Sequence, residues 1–391
     1  MGPTKIMFKI NRQHLFALGL SLVVALPILF SSSTFAAPGD FTWSASNSAV
    51  VSNDMTWQAI TSSADGTKLA AVVNNGLIYT STDSGATWTE RTSAGTNYWY
   101  WIASSADGTK LAAVANTGSI YTSTDSGATW TERTATGTQS WASISSSADG
   151  TKLAAVAWGG SIYTSTDSGA TWTEHTSLGA QYWQTISSSA DGTMLTVAVA
   201  DGSIYTSNDS GATWVERAGA GTHYWYSVAS SADGTKLVAG VYNGFIYTSN
   251  DSGATWTERA DDASRYWISV TSNADGAKLA AVAYGDFIFT SADSGATWVP
   301  QTAAGARDWV SIASSADGAK LAAAAYNGLL YTAAAVATQV SDVPLPDPAN
   351  VPGVPNTGIE PESNTTPLLL SGIAALLTTI IGTKLFYRSK V

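Results

Sequence analysis

At 391 residues the chain is long enough for two average domains or one repeat-built domain, and 45% hydrophobic against 12% charged residues excludes a charge-rich disordered protein. With no Cys it has no disulfide framework, zinc ribbon, iron–sulfur cluster or Cys nucleophile, and three His (His14, His175 and His223) argue against a multi-His metal site. A formal charge of −11 argues against nucleic acid as a partner, and no metal or cofactor is expected.

Residues 1–36 read as a secretory signal. Lys5, Lys9 and Arg12 form a positive start, Leu15 to Phe30 is apolar, and Thr34-Phe35-Ala36 places small residues where a signal peptidase cuts, after Ala36. An uncleaved anchor is the plainer alternative.

From residue 37 to 340 one unit recurs. A Trp stands eight residues before the Asp of an Asp-Gly turn at Trp57, Trp99, Trp141, Trp183, Trp225, Trp267 and Trp309, always 42 residues apart. A second signature, Ser-x-Asp-x-Gly-x-Thr-Trp, places its Asp at Asp83, Asp125, Asp167, Asp209, Asp251 and Asp293, again every 42. A fixed period of this length means a solenoid or a propeller. Within the third copy, Trp141–Ser147, Lys152–Trp158, Ser161–Ser165 and Thr171–Glu174 are extended runs separated by Gly-bearing turns, with Ala148-Asp149-Gly150 read as a tight hairpin. Four short strands (A to D) per repeat predict an all-β, seven-bladed propeller. The seventh copy lacks the second signature, whereas Phe41-Thr42-Trp43 matches the Ala-Thr-Trp ending of the others. The N-terminal strand is therefore expected to complete the last blade.

Up-and-down blades put the A–B and C–D turns on one face and the B–C and D–A turns on the other. The first face is nearly uniform. The second varies: the residue before the strand-A Trp runs Thr56, Tyr98, Ser140, Tyr182, Tyr224, Tyr266, Asp308, and the B–C turn carries Asn74, Asn116, Trp158, Ala200, Tyr242, Tyr284, Tyr326. Trp101 stands where the other copies have a small residue. Tyr98, Trp101, Trp158, Tyr182, Tyr224, Tyr242, Tyr266, Tyr284 and Tyr326 are the candidate ligand-binding residues, because broad rings with a polar handle suit sugar faces and protein anchors. Packing between blades is the alternative for each of them, and the expected role of the seven strand-A Trp.

Pro-rich 341–355 is a semi-rigid spacer, and 354–358 reads Val-Pro-Asn-Thr-Gly. A polar stretch, an apolar run over 367–383 and the basic residues Lys384, Arg388 and Lys390 follow. Motif, span and basic tail in this order resemble a sortase sorting signal, with Val354 in place of the family's Leu. The resemblance implies recognition at Pro355, cleavage between Thr357 and Gly358, and attachment of Thr357 to the cell envelope. A plain membrane anchor through a C-terminal helix in 359–391 is the alternative. Residues 37–357 keep 12 basic against 27 acidic residues, a balance of −15 that disfavours anionic polymers and lipids.

The motif Ser81-Thr82-Asp83-Ser84-Gly85-Ala86-Thr87-Trp88 and its copies resemble the Asp-box (BNR repeat) of sialidase-like propellers, and the even spacing is most similar to the photosystem II assembly-factor type. That family implies structural Asp-box turns, with calcium binding the alternative. A sialidase needs three converging Arg. Arg91, Arg133, Arg217 and Arg259 occupy one position on the outermost strand, and only Arg265 and Arg307 are placed in D–A loops, so no triad is expected. A two-carboxylate glycosidase would draw on Asp201, Asp261, Asp262, Asp286 or Asp308. His175 and His223 are expected to be solvated. The expected function is a non-enzymatic surface binding module, monomeric, processed by signal peptidase and sortase, with a glycan or protein ligand. A passive coat or spacer and a glycan hydrolase are the alternatives.

Overall fold

The computed structural model describes residues 40–259 and 263–336. Contacts divide the chain into Met1–Thr338 and Gln339–Val391, and every described residue belongs to the first unit. The signal segment 1–36, the spacer and sorting motif 341–358 with Pro355, Thr357 and Gly358, the tail 359–391, and Asp261 and Asp262 lie outside the described residues. Among the described residues no helix is long and apolar enough to cross a membrane.

The fold is a β-propeller. Among the described residues, apart from three short helical turns, Thr134–Thr136, Ala218–Ala220 and Thr302–Ala304, all regular structure is antiparallel β. After the first strand, Phe41–Ala45, the described strands fall into six consecutive sets of four and a last run of three. In the third set, strand A is Gln139–Ser146, B is Leu153–Gly160, C is Ile162–Ser165 and D is Thr173–His175. Neighbours A–B, B–C and C–D pair antiparallel, as with Ile144 opposite Ala155 and Tyr163 opposite Glu174. Strand D, the sheet edge, is only two or three residues long in the sets that carry the Asp signature, which limits edge-to-edge pairing. Phe41–Ala45 pairs with Leu330–Ala335, Phe41 opposite Ala335, so the N-terminal strand does complete the last set.

The A–B connection is longer than a tight hairpin. Strand pairing ends at Ser146 opposite Leu153, and Ser147 N donates to Lys152 O, closing a four-residue loop. A two-residue turn of the primed type needs positive φ at both centres. Here only Gly150 has it, at 66°, and Asp149 instead stabilises the loop by accepting from Thr151 N at 2.9 Å.

The seven strand-A Trp side chains are almost completely buried. Each meets the strand-C ring edge-on, as in Trp57–Tyr79 at 5.2 Å and Trp267–Phe289 at 5.2 Å, the favoured arrangement of aromatic quadrupoles. Several also tie their set to the preceding one: Trp183 Nε1 donates to Gly160 O, Trp225 Nε1 to Gly202 O and Trp57 Nε1 to Gly328 O. The last bond joins first and last sets. The A–B loops close the same circle. Ala64 N donates to Ala106 O, Ala106 to Ala148, and so on through Ala190, Ala232, Ala274 and Ala316, whose N returns to Ala64 O, every bond 2.7–2.8 Å.

Candidate functional site

At the A–B and C–D end, polar side chains are used inside the fold. In the motif 81–88, Asp83 accepts from Thr87 N at 2.8 Å and from the Ser81 and Thr87 hydroxyls, while Gly85 N donates to Ser81 Oγ and Trp88 Nε1 to Gly85 O. The Thr and Ser bonds recur around Asp125, Asp167, Asp209, Asp251 and Asp293, and the indole bond recurs at Trp130, Trp172 and Trp256, while the indole N–H groups of Trp214 and Trp298 find no partner among the described residues. The Thr hydroxyl and amide hold the pKa of Asp167, Asp209 and Asp251 down at about 2. The turn needs two consecutive left-handed residues, Ser126 at φ 58° and Gly127 at φ 85° in the second copy. Gly127 also abuts the neighbouring set: a Cβ there would lie 2.8 Å from Thr80 Cγ2. Among the described residues no group of three or more acidic or His side chains is placed to hold a metal ion.

The opposite end is built differently. Each strand A carries a bulge one residue past its Trp: Trp99 faces Ala115 and Trp101 faces Val114, leaving Tyr100 out of register. A bulge re-aims the extra residue. Here it re-aims it to the axis, where a cavity of about 50 Å³ is lined by Gln58, Tyr100, Ala142, Gln184, Tyr226, Ile268 and Val310, one from each set, with Trp101 and Thr185 beside them. Burial raises the Tyr226 hydroxyl far above its ordinary value, and a hydrogen bond with Tyr100 adds to this.

Around the cavity the two variable positions alternate. Strand A of each set lies against strand B of the preceding one, so Tyr326 faces Thr56, Asn74 faces Tyr98, Asn116 faces Ser140, Trp158 faces Tyr182, Tyr242 faces Tyr266 and Tyr284 faces Asp308. Within sets, Ala200 N donates to Tyr182 O and Tyr242 N to Tyr224 O. These pairings arrange the candidates as a rim. One arc, through Thr56, Asn74, Asn116 and Ser140, is polar except for Tyr98. The other, from Trp158 to Tyr326, is aromatic except for Ala200 and Asp308. Trp158 and Tyr182 touch at 5.2 Å. Tyr242 contacts Tyr266 at 4.8 Å, Tyr224 at 5.6 Å and the axial Tyr226 at 5.8 Å. Tyr284 is hydrogen-bonded to Asp308 and lies within electrostatic reach of Tyr242 and Tyr326; burial and these groups push its hydroxyl's pKa up. Tyr98, Trp158, Tyr182, Tyr242, Tyr266 and Tyr284 are exposed, whereas Tyr224 and Tyr326 are half-buried.

Trp101 is half-buried between the second and third sets and borders the axial cavity. Its counterparts Ser143, Thr185, Ser227, Ser269 and Ser311 accept a backbone N–H from the next set, as Ser143 Oγ does from Ile186 N, a bond an indole cannot make.

Four placements differ from expectation. Arg265 and Arg307 begin strand A rather than sitting in D–A loops. Arg265 lies over Phe289 at 4.6 Å and donates from Nε to Asp286 at 2.9 Å, and Arg307 lies over Tyr331 at 4.8 Å. His175 is half-buried, its Nε2 2.7 Å from Thr164 Oγ1, because it takes the place in which Arg91 and Arg133 donate to Thr80 and Thr122. His223 is half-buried against Trp225 and Tyr247. Arg91, Arg133, Arg217 and Arg259 lie at strand D, held on strand-C Thr hydroxyls.

The strand-A bulge residues, above all Tyr100 and Tyr226, escaped the sequence reading. The signal was present: the position after the strand-A Trp varies as much as the rim does.

A separate cleft of about 280 Å³ opens at the seam between last and first sets, lined by Thr42, Ser44, Ser62, Ser84, Lys320 and Thr332 among others. The equivalent seam of the third and fourth sets has about 10 Å³. Ala333 and Ala334 stand where that seam has Ser165 and Thr166, and the smaller side chains leave the space.

No protein-family model and no curated protein matches the sequence. Solved structures show the same fold. A structure of YCF48 bound to D1 peptide superposes with a TM-score of 0.60 at 15% identity, covering 77% of this chain and 98% of that one. YCF48 from Cyanidioschyzon merolae gives 0.58 at 14% identity, covering 74% and 98%. The GH74 xyloglucanase from Xanthomonas campestris gives 0.57 at 16% identity, covering 74% of this chain and 53% of that one. At these identities the likeness establishes the propeller fold.

Proposed function

We propose that this chain is a secreted, envelope-anchored, non-enzymatic binding module that engages a glycan or protein partner through the aromatic arc of its rim. One observation carries the reading. The same repeat ties down its polar groups at one end and leaves exposed rings around the axial mouth at the other. Exposed Trp and Tyr clusters mark recognition surfaces. That one YCF48 structure holds a peptide supports a protein partner for a propeller of this shape. The Asp signatures act as structural Asp-box turns, and seven blades close the ring. The ends supply the address: signal peptidase removes 1–36, and a sortase cuts between Thr357 and Gly358 after recognising Pro355. The folded part then stands off the envelope on the Pro-rich spacer as a monomer.

The test is a glycan-array and cell-surface binding assay on the purified chain and on its Tyr182→Ala/Tyr242→Ala variant. Specific binding, lost in the variant at unchanged melting temperature, is expected. Binding that survives the change contradicts the rim reading, and no binding to either support favours a passive coat. Turnover of any glycoside, abolished by Asp201→Asn, would make the chain an enzyme.

A further inference from the structure

The rim's aromatic arc has a charge signature that narrows its ligand. The six described lysines, Lys68, Lys110, Lys152, Lys236, Lys278 and Lys320, all stand at the A–B end. Four of them donate there to the carbonyl of the next set's turn Asp, as Lys68 Nζ does to Asp107 O. None is left to face the rim. The two arginines nearest the rim are turned onto Phe289 and Tyr331, and Arg265 is paired with Asp286. Asp201, by contrast, is exposed at the tip of its B–C turn, at φ 52°, with no salt bridge among the described residues, and is close enough to help push the pKa of the Tyr224 hydroxyl up, behind burial and Tyr100. Asp308 lies on the other side of the arc, opposite Tyr284. Between them, Tyr242 and Tyr266 are 42% and 45% exposed, with Tyr242 stacked on the axial Tyr226 and the rest of its ring reaching solvent.

Tyrosine faces carry negative potential and attract cations, and flanking carboxylates add to that field within a screening length of about 8–10 Å. We propose that the arc Tyr224–Tyr242–Tyr266, flanked by Asp201 and Asp308, binds a basic peptide segment and seats its arginine or lysine side chains on the tyrosine faces. The proposal rests on the rim being the binding surface and adds the sign of the ligand's charge. The chain already uses this chemistry on itself, with Arg265 and Arg307 on aromatic rings. A single small cation would meet one ring. An extended segment places alternate side chains about 7 Å apart, a spacing that lets successive cations use neighbouring rings.

Calorimetric titration of the full-length chain tests this with two probes, a 12-residue peptide alternating Arg and Ser and the same peptide with neutral citrulline for Arg. The Arg peptide is expected to bind at least tenfold more tightly. Tyr242→Phe, which keeps the ring face, should hold affinity within about twofold, whereas Tyr242→Leu, which keeps apolar area alone, should lower it about fivefold. Asp201→Asn should weaken binding and flatten its salt dependence. Melting temperatures of the variants exclude misfolding. Equal affinity for both peptides, with both weakened by Tyr242→Leu, would overturn the cation inference and leave the rim reading standing. Arg-peptide binding indifferent to Tyr242→Leu and Asp201→Asn would place the peptide on the Asp-rich opposite end and contradict both readings. Binding of neither peptide overturns the inference.

Discussion

At the A–B and C–D end, backbone amides close a circle through all seven sets, Ser hydroxyls and Asp carboxylates bond inside their own turns, and lysines reach across to the next set. At the B–C and D–A end the turn tips sit in left-handed conformations, from Asn327 at φ 48° to Gly285 at 73°, and bear rings with open faces. The two ends come from the same 42-residue unit. The difference lies in where polar groups find partners. A turn that bonds to itself and its neighbour tolerates little change, so its copies stay alike. A turn held only by its flanking strands is free to differ, and it does.

Substitutions at matched positions should separate the ends. Gly127→Val has the largest expected effect: it forces a branched residue to φ 85° and pushes its Cβ into Thr80, a loss of roughly 3 kcal/mol or more in a thermal or denaturant melt. Next is Ser105→Ala. Buried Ser105 Oγ donates to Asp107 and accepts from Lys110 N at 3.0 Å, so its removal orphans a backbone donor at about 1–3 kcal/mol. A stability near wild type in either variant would break the distinction.

Acid should act on the same end. The Ser147 hydroxyl and the Thr151 amide hold Asp149 down to about 2, and Asp65, Asp107 and Asp191 likewise. Their folded-state values lie below the unfolded carboxylate value near 3.9, so this contribution is complete above about pH 4 and is lost as pH falls toward 2. The melting temperature should therefore be flat from pH 7 to 5 and fall steeply between pH 4 and 2. These groups are solvent-exposed, which keeps each contribution small, and the effect comes from their number.

At the variable end, Thr117→Asn should raise stability by about 1 kcal/mol. Thr117 is β-branched at φ 54°, where the equivalent tips are Asn75, Asn243 and Asn327. The smallest effect belongs to Tyr182→Ala. Its side chain is 59% exposed, and the change should move stability by no more than about 0.5 kcal/mol while acting on binding.

The repeat made most of the fold readable. The period placed each strand within two or three residues, and the Thr-Trp echo at Thr42-Trp43 located the strand that completes the last set. The A–B loops were read as tighter than they are, because Asp-Gly alone does not show that a Ser and an Asp side chain complete the turn. The rim was readable as variation among copies. The axial residues were not, because inside–outside alternation assumes a regular strand and the bulge after each Trp breaks it, turning Tyr100 and Tyr226 to the axis. His175 was read as solvated since a lone imidazole carries no local sign of the Thr164 hydroxyl, eleven residues away, that receives it.

Hydrogen–deuterium exchange on the purified chain, alone and with a bound partner, tests the division between the two ends most directly. The amides of Ala64, Ala106, Ala148, Ala190, Ala232, Ala274 and Ala316 should exchange as slowly as the buried strands, the B–C tips should exchange orders of magnitude faster, and a ligand should slow only peptides that carry the rim. Equal exchange at both ends, or ligand protection confined to the Ala-Asp-Gly loops, would contradict it.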